Sequence, residues 1–110
     1  MRVVVNDWDE FCEEIAAEAK SIHASVIRVR IDRTPLQPEA IACRLKLWGT
    51  AVVASQETEY LIECGVELGI DDEETGEHTG TMQAQAKIGR LKDMADTHGL
   101  QIRHGKIEVM

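Results

Sequence analysis

The stretch from Ala40 to Leu68, AIACRLKLWGTAVVASQETEYLIECGVEL, decides the fold. Its first half alternates, with Ile41, Cys43, Leu45 and Leu47 on one side of the chain and Arg44, Lys46 and Trp48 on the other. Its second half repeats the pattern, setting Tyr60, Ile62, Cys64, Val66 and Leu68 against Glu59, Glu63 and Glu67. A period of two belongs to strands buried on one face only. The polar Ser55-Gln56-Glu57 between the halves reads as a turn, so the stretch predicts a long antiparallel hairpin with one apolar face. Gly49 interrupts the first strand and is expected to mark a bulge or bend.

Working outward, residues 25–32 alternate in the same way, with Ile27, Val29 and Ile31 opposed to Arg28, Arg30 and Asp32, and predict a third half-buried strand. Thr34-Pro35-Leu36-Gln37-Pro38 then reads as a connecting loop, because each proline fixes φ and removes a donor. Residues 7–20 change the period. Trp8, Phe11, Ile15 and Ala19 recur at helical spacing among glutamates, and Asn6 or Asp7 is placed to cap the start.

Downstream of the hairpin, residues 71–78 form an acidic stretch expected to be a surface loop. Thr79 or Thr81 then caps a second helix running to about His98, with Ala84, Ile88, Leu91 and Ala95 as its buried stripe and Gly99 ending it in the left-handed conformation. Gly89 costs that helix about 1 kcal/mol against alanine, which suggests close packing on the sheet. Leu100 to Val109 reads as a final strand, or as a short hairpin turning at His104-Gly105.

The order is helix, three antiparallel strands, helix, strand, with Arg2 to Val5 available as an extra edge strand. It predicts one α+β domain over residues 1–110, a two-layer sandwich in which a mostly antiparallel sheet of four to five strands carries both helices on its apolar face. The other face is then left open. It displays Arg28, Arg30, Arg44, Lys46 and Trp48 beside Glu59, Glu63 and Glu67.

Composition bounds the function. Of 110 residues, 44% are hydrophobic and 29% charged, the balance of an ordinary globular domain. Twenty acidic residues against twelve Lys and Arg give a net charge of −8. That charge argues against direct nucleic-acid binding and against anionic membrane surfaces, both of which reward Lys and Arg. Acidic residues at Asp7, Asp9 and Glu10, ahead of any long apolar run, do not suit a signal peptide, and the default expectation is a cytoplasmic protein. Cys12, Cys43 and Cys64 suit reduced core thiols better than disulfides, Cys12 being the one placed to be half exposed.

No nucleotide-binding, zinc or nucleophile-elbow motif occurs in the chain. Gly99 and Gly105-Lys106 are wrongly spaced for a phosphate loop, and Ile107 stands where a hydroxyl would hold magnesium. Asp71, Glu73, Thr75 and Glu77 fall on alternate positions as in a calcium loop, yet Met82 occupies the twelfth place, where a bidentate glutamate is needed. The four histidines share no ligand spacing with each other or with the cysteines. Catalytic residues, metal ligands and cofactors are therefore not expected.

What stands out is charge placement. Nine of the twenty acidic residues lie between Glu57 and Glu77, with no Lys or Arg among them. These observations point to a non-enzymatic protein–protein interaction module, a homo-oligomer or a binder of a basic partner. The candidate contact residues are Trp48, Arg44, Lys46, Glu59, Glu63, Glu67, Asp71, Asp72, Glu73 and Glu74. An acidic inhibitor of a basic or nucleic-acid-binding target is a special case of this reading. Two alternatives are a small-molecule or enzymatic pocket between helices and sheet, and a structural subunit of a larger assembly.

Overall fold

The computed structural model describes residues 1–107. The element order is β1 (Arg2–Val5), α1 (Trp8–Ser21), β2 (Val26–Pro35), β3 (Ala42–Ala54), β4 (Glu59–Asp72), β5 (Glu77–His78), α2 (Thr79–Thr97) and β6 (Gln101–His104). The expected α+β sandwich is present, with β1 as the additional edge strand. Glu108 and Val109, to which the sequence extends the last strand or its hairpin, lie outside the described residues, as does Met110. No helix among the described residues is long and apolar enough to cross a membrane.

The sheet is mixed rather than mostly antiparallel. Its six strands follow the order β1-β4-β3-β2-β6, with β5 paired to β4. The expected meander β2-β3-β4 is antiparallel, but β1 runs parallel to β4 and β6 parallel to β2. Each helix therefore belongs to a crossover: α1 leads from β1 to β2, and α2 leads from β4 to β6. Both crossovers travel three places along the sheet in the same direction, between strands that run the same way. Parallel crossovers are overwhelmingly right-handed, so two with this geometry fall on the same face. This is why α1 and α2 lie side by side and leave the opposite face bare.

Under the helices, α1 buries Trp8, Phe11, Cys12, Ile15, Ala16 and Ala19, and α2 buries Gly80, Ala84, Leu91, Met94 and Ala95. They cover Ile27, Val29, Leu45, Leu47, Ala51, Val53, Ile62 and Cys64, the apolar alternation read from the sequence. Asp7 caps α1 as expected, its carboxylate accepting from the Glu10 amide at 3.1 Å. Cys12 is fully buried rather than half exposed, because it sits on the core side of α1 next to Phe11. Ile41, placed with the core by its phase, is exposed, because it precedes the paired part of β3.

Gly49 marks no bulge. The ladder passes through it unbroken, pairing it with Ile31 on one side and Cys64 on the other. It is glycine because α1 sits directly over it: a Cβ there would lie 2.8 Å from the Trp8 ring and 3.0 Å from Phe11. The real irregularity lies further along, between Arg44 and Lys46 of β3, opposite which β4 carries one extra residue. That insertion reverses which face the end of β4 presents. Beyond it Gly69 and Asp71 turn toward α2, and an added Cβ at Gly69 would meet Thr79 at 2.7 Å.

Pro35 is the last residue of β2, not part of a loop. The Leu36 amide donates to the Arg44 carbonyl at 2.9 Å, so the alternate residue Pro35 turns its donor-less nitrogen to the free edge, where a strand tolerates proline. The acidic stretch is likewise more ordered than a loop. Asp71 and Asp72 close a tight turn against Glu77 and His78, with the Asp72 carboxylate accepting from the amides of Glu74 at 2.9 Å and Thr75 at 3.3 Å.

Both helices end in the same way. Gly99, at φ 65°, donates to Asp96 while Leu100 donates to Ala95, the paired bonds of a left-handed C-terminal cap. His23 holds the equivalent place after α1 at φ 55°, with Ala24 donating to Ala19. Mid-helix Gly89 has no packing role, since a Cβ there meets nothing within 4 Å. Gly89→Ala is therefore expected to stabilise the domain by about 0.5–1 kcal/mol. In a thermal melt this appears as a midpoint several degrees higher; a lower midpoint would mean that the glycine is required after all.

Candidate interaction surface

The bare face is built from the even-numbered residues of β2 and β3 and the odd-numbered residues of β4 up to its extra residue. From the β1 edge inward, one row runs Arg2, Leu61, Val52, Arg28 and Arg103, and the next runs Val4, Glu63, Thr50 and Arg30. A third crosses Gly65, Trp48 and Asp32, and a fourth Glu67, Lys46 and Thr34. Carboxylates thus concentrate on β4 and guanidinium groups on β2 and β6. The central strand, β3, adds the cations Arg44 and Lys46 at one end of the face.

Trp48 is fixed at the centre of this surface. A Cβ on Gly65 would fall inside the indole, 2.4 Å from a ring atom, so the ring must lie across the glycine of the neighbouring strand. Lys46 Nζ stands 5.6 Å from the ring centroid and adds a cation–π contact. A broad ring on a glycine-flattened stretch of sheet covers backbone that would otherwise be wetted. Around it Val52 is only 3% exposed and Thr50 only 8%, although no helix covers them.

Electrostatics on this face depart from the simple pairing of a glutamate strand with an arginine strand. Arg44 does reach Glu67, at 3.8 Å between exposed groups. Glu63 is instead buried and salt-bridged to Arg2 at 2.6 Å, on the strand that the sequence offered only as an optional edge. Arg30 pairs along its own strand with Asp32 at 3.0 Å. With β3 lying between β2 and β4, Arg28 and Arg30 face no glutamate directly.

The acidic hairpin is less available than its composition implies. Asp71, turned under by the extra residue of β4, accepts from the Thr81 amide at 2.9 Å and from the Thr81 hydroxyl. These bonds hold its carboxyl below the ordinary carboxylate range, the hydroxyl contributing most. Its role is to cap α2, since His78 at the helix start offers no side-chain bond. Asp72 is engaged in the turn. Glu73 and Glu74 remain exposed at its tip, off the face that carries Trp48, Lys46, Glu59, Glu63 and Glu67.

The ten candidate contact residues are therefore divided. Trp48, Arg44, Lys46, Glu59, Glu63 and Glu67 share the bare face, while Asp71 faces α2 and Asp72, Glu73 and Glu74 form the hairpin end. Sequence reasoning missed Arg2, Val4, Leu61 and Thr50 as members of the face that carries Trp48. Leu61, Val52 and Thr50 stood in phase with Glu59, Glu63 and Trp48, so the alternation carried that signal; Arg2 and Val4 depended on the strand order. No protein-family model matches the chain, and no curated protein or solved structure is significantly similar to it.

Proposed function

We propose that the chain is a non-enzymatic protein–protein interaction module that docks through its bare sheet face, and that the partner is a second copy of itself. The observation that carries this reading is the layout of that face, with Trp48 seated on Gly65 at the centre, carboxylates on β4 to one side and guanidinium groups on β2 to the other. A two-fold axis running along β3 lays β4 of one copy over β2 of the other, and the two tryptophans close to each other. By register Glu63 of each copy then lies over Arg30 of the other, beside the Arg2–Glu63 and Arg30–Asp32 pairs formed within each copy. Such self-complementarity is what a two-fold interface requires.

Size and composition support the same reading. The face spans about 30 Å along the strands and about 20 Å across them, on the order of 600–700 Å² per copy, close to a standard interface of about 800 Å² per partner. Its centre is Trp48, flanked by Gly65, Thr50, Lys46 and Asp32, and a Trp held among polar groups is a usual anchor of a docking patch. A basic external partner draws on the hairpin tip instead. With Glu63 bound to Arg2 and Asp71 to Thr81, that version has fewer free carboxylates than the sequence count suggests.

Sedimentation velocity over a range of concentrations tests this directly. A reversible dimer is expected that weakens as salt rises, and Trp48→Ala is expected to weaken it about tenfold or more while leaving the circular dichroism spectrum unchanged. A chain that stays monomeric to several hundred micromolar, or a Trp48→Ala variant that dimerises as tightly as wild type, would remove the reading.

A further inference from the structure

On the helix side of the sheet, where β6 stops at His104 while β2 continues to Pro35, a groove of about 650 Å³ opens between β2 and α2. Its wall is formed by Val29, Ile31 and Ile88, its cations Arg33 and Lys92 stand on β2 and α2, and His104 and Lys106 border its end. Arg30 also borders it, but its guanidinium is paired with Asp32. No Asp or Glu lines the groove among the described residues. In a chain with twenty acidic residues and twelve basic ones, that segregation is the opposite of what the composition supplies.

We propose that this groove binds a small organic anion, a molecule with an apolar body and a single carboxylate or phosphate head. The apolar side chains of β2 and α2 accept the body, as in most ligand pockets, whose volumes run from about 300 to 1,000 Å³. Arg33 supplies the planar fork that suits carboxylate or phosphate oxygens, and Lys92 a point charge from the facing helix. The topology explains why the site is here. The parallel strand β6 covers only the first half of β2, so the odd-numbered side chains beyond Val29 meet α2 across a gap instead of a neighbouring strand. The groove lies on the face opposite Trp48, so this inference stands apart from the dimer.

The probes are hexanoate, hexyl phosphate and hexanol, titrated into the ¹⁵N-labelled full chain and followed by amide chemical shifts. Saturable binding in the millimolar range or tighter is expected for at least one anion, with shifts centred on residues 29–33, 88–92 and 104–106. Hexanol should bind at least tenfold more weakly. The exposed double variant Arg33→Gln/Lys92→Gln should lose tenfold or more in anion affinity with an unchanged melting temperature. The tighter of the two anions identifies the head group. Absence of saturation by both anions, equal binding of hexanol, shifts centred elsewhere, or unchanged affinity in the double variant would each overturn the proposal.

Discussion

A chain carrying Gly49→Val is expected to lose about 3 kcal/mol of stability or more, and about 12 °C or more in melting temperature. The valine has nowhere to go. Its Cβ alone falls 2.8 and 2.9 Å from atoms of the Trp8 ring and 3.0 Å from Phe11, before either methyl is added. Those rings pack tilted against each other at 4.8 Å between centroids and are buried. Trp8 cannot retreat freely, because its indole nitrogen donates to the Lys87 carbonyl of α2 at 2.8 Å. Moving the ring breaks a bond that ties the two helices together, and moving α1 lifts the whole core cluster off β3. Trimming the obstruction should restore part of the loss: Trp8→Leu in the Gly49→Val background is expected to show a coupling of at least 1 kcal/mol in a double-mutant cycle. A single variant that melts within a few degrees of wild type would mean that α1 does not sit on β3 here.

Gly49 also shows where the sequence was legible and where it was not. Its interruption of an alternating strand was visible, but the same interruption fits a bulge or a seat for a large ring, and only the position of α1 decides between them. The two-layer sandwich, both helices, the central hairpin and the left-handed Gly99 follow from local rules of period and capping, and these were readable. Strand order was not. Whether Arg2 to Val5 joins the hairpin at β4 or elsewhere depends on how far two crossovers travel, a choice made by the packing of α1 and α2 on one face. Hence Arg2 was not recognised as the partner of Glu63, and Asp71 was read as loop charge rather than as the cap of α2. The bare face itself was read correctly because the alternation of Arg44, Lys46 and Trp48 with Leu45 and Leu47 assigns it without knowledge of topology. What the face binds is set by the partner as well as by these residues, so it is the least readable part.

Alkaline pH should expose the second large effect. Cys12 on α1 and Cys64 on β4 are both fully buried in the cluster under the helices, and burial pushes each thiol from about 9 up to about 11. Ionising Cys12 further disfavours ionising Cys64. In the unfolded chain both thiols lose their protons near the ordinary value, while the folded chain keeps them. Between about pH 9 and pH 11 the folded state therefore binds more protons than the unfolded state, and stability falls as pH rises; below pH 9 the contribution is fully present. Two units at about 1.4 kcal/mol each amount to at most about 2–3 kcal/mol per thiol, a large share of a typical domain's 5–15 kcal/mol. Urea unfolding at pH 8, 9, 10 and 10.5 measures the loss. The comparison is with Cys12→Ala/Cys64→Ala, which isolates the two thiols from every other effect of alkali; it starts less stable because of the space it leaves but should lose at least 2 kcal/mol less on the way up. Parallel curves for the two proteins would show that these thiols do not hold their protons in the folded core. Divergent curves would establish both as inert core groups at neutral pH, leaving half-buried Cys43 as the thiol that alkylating reagents reach first.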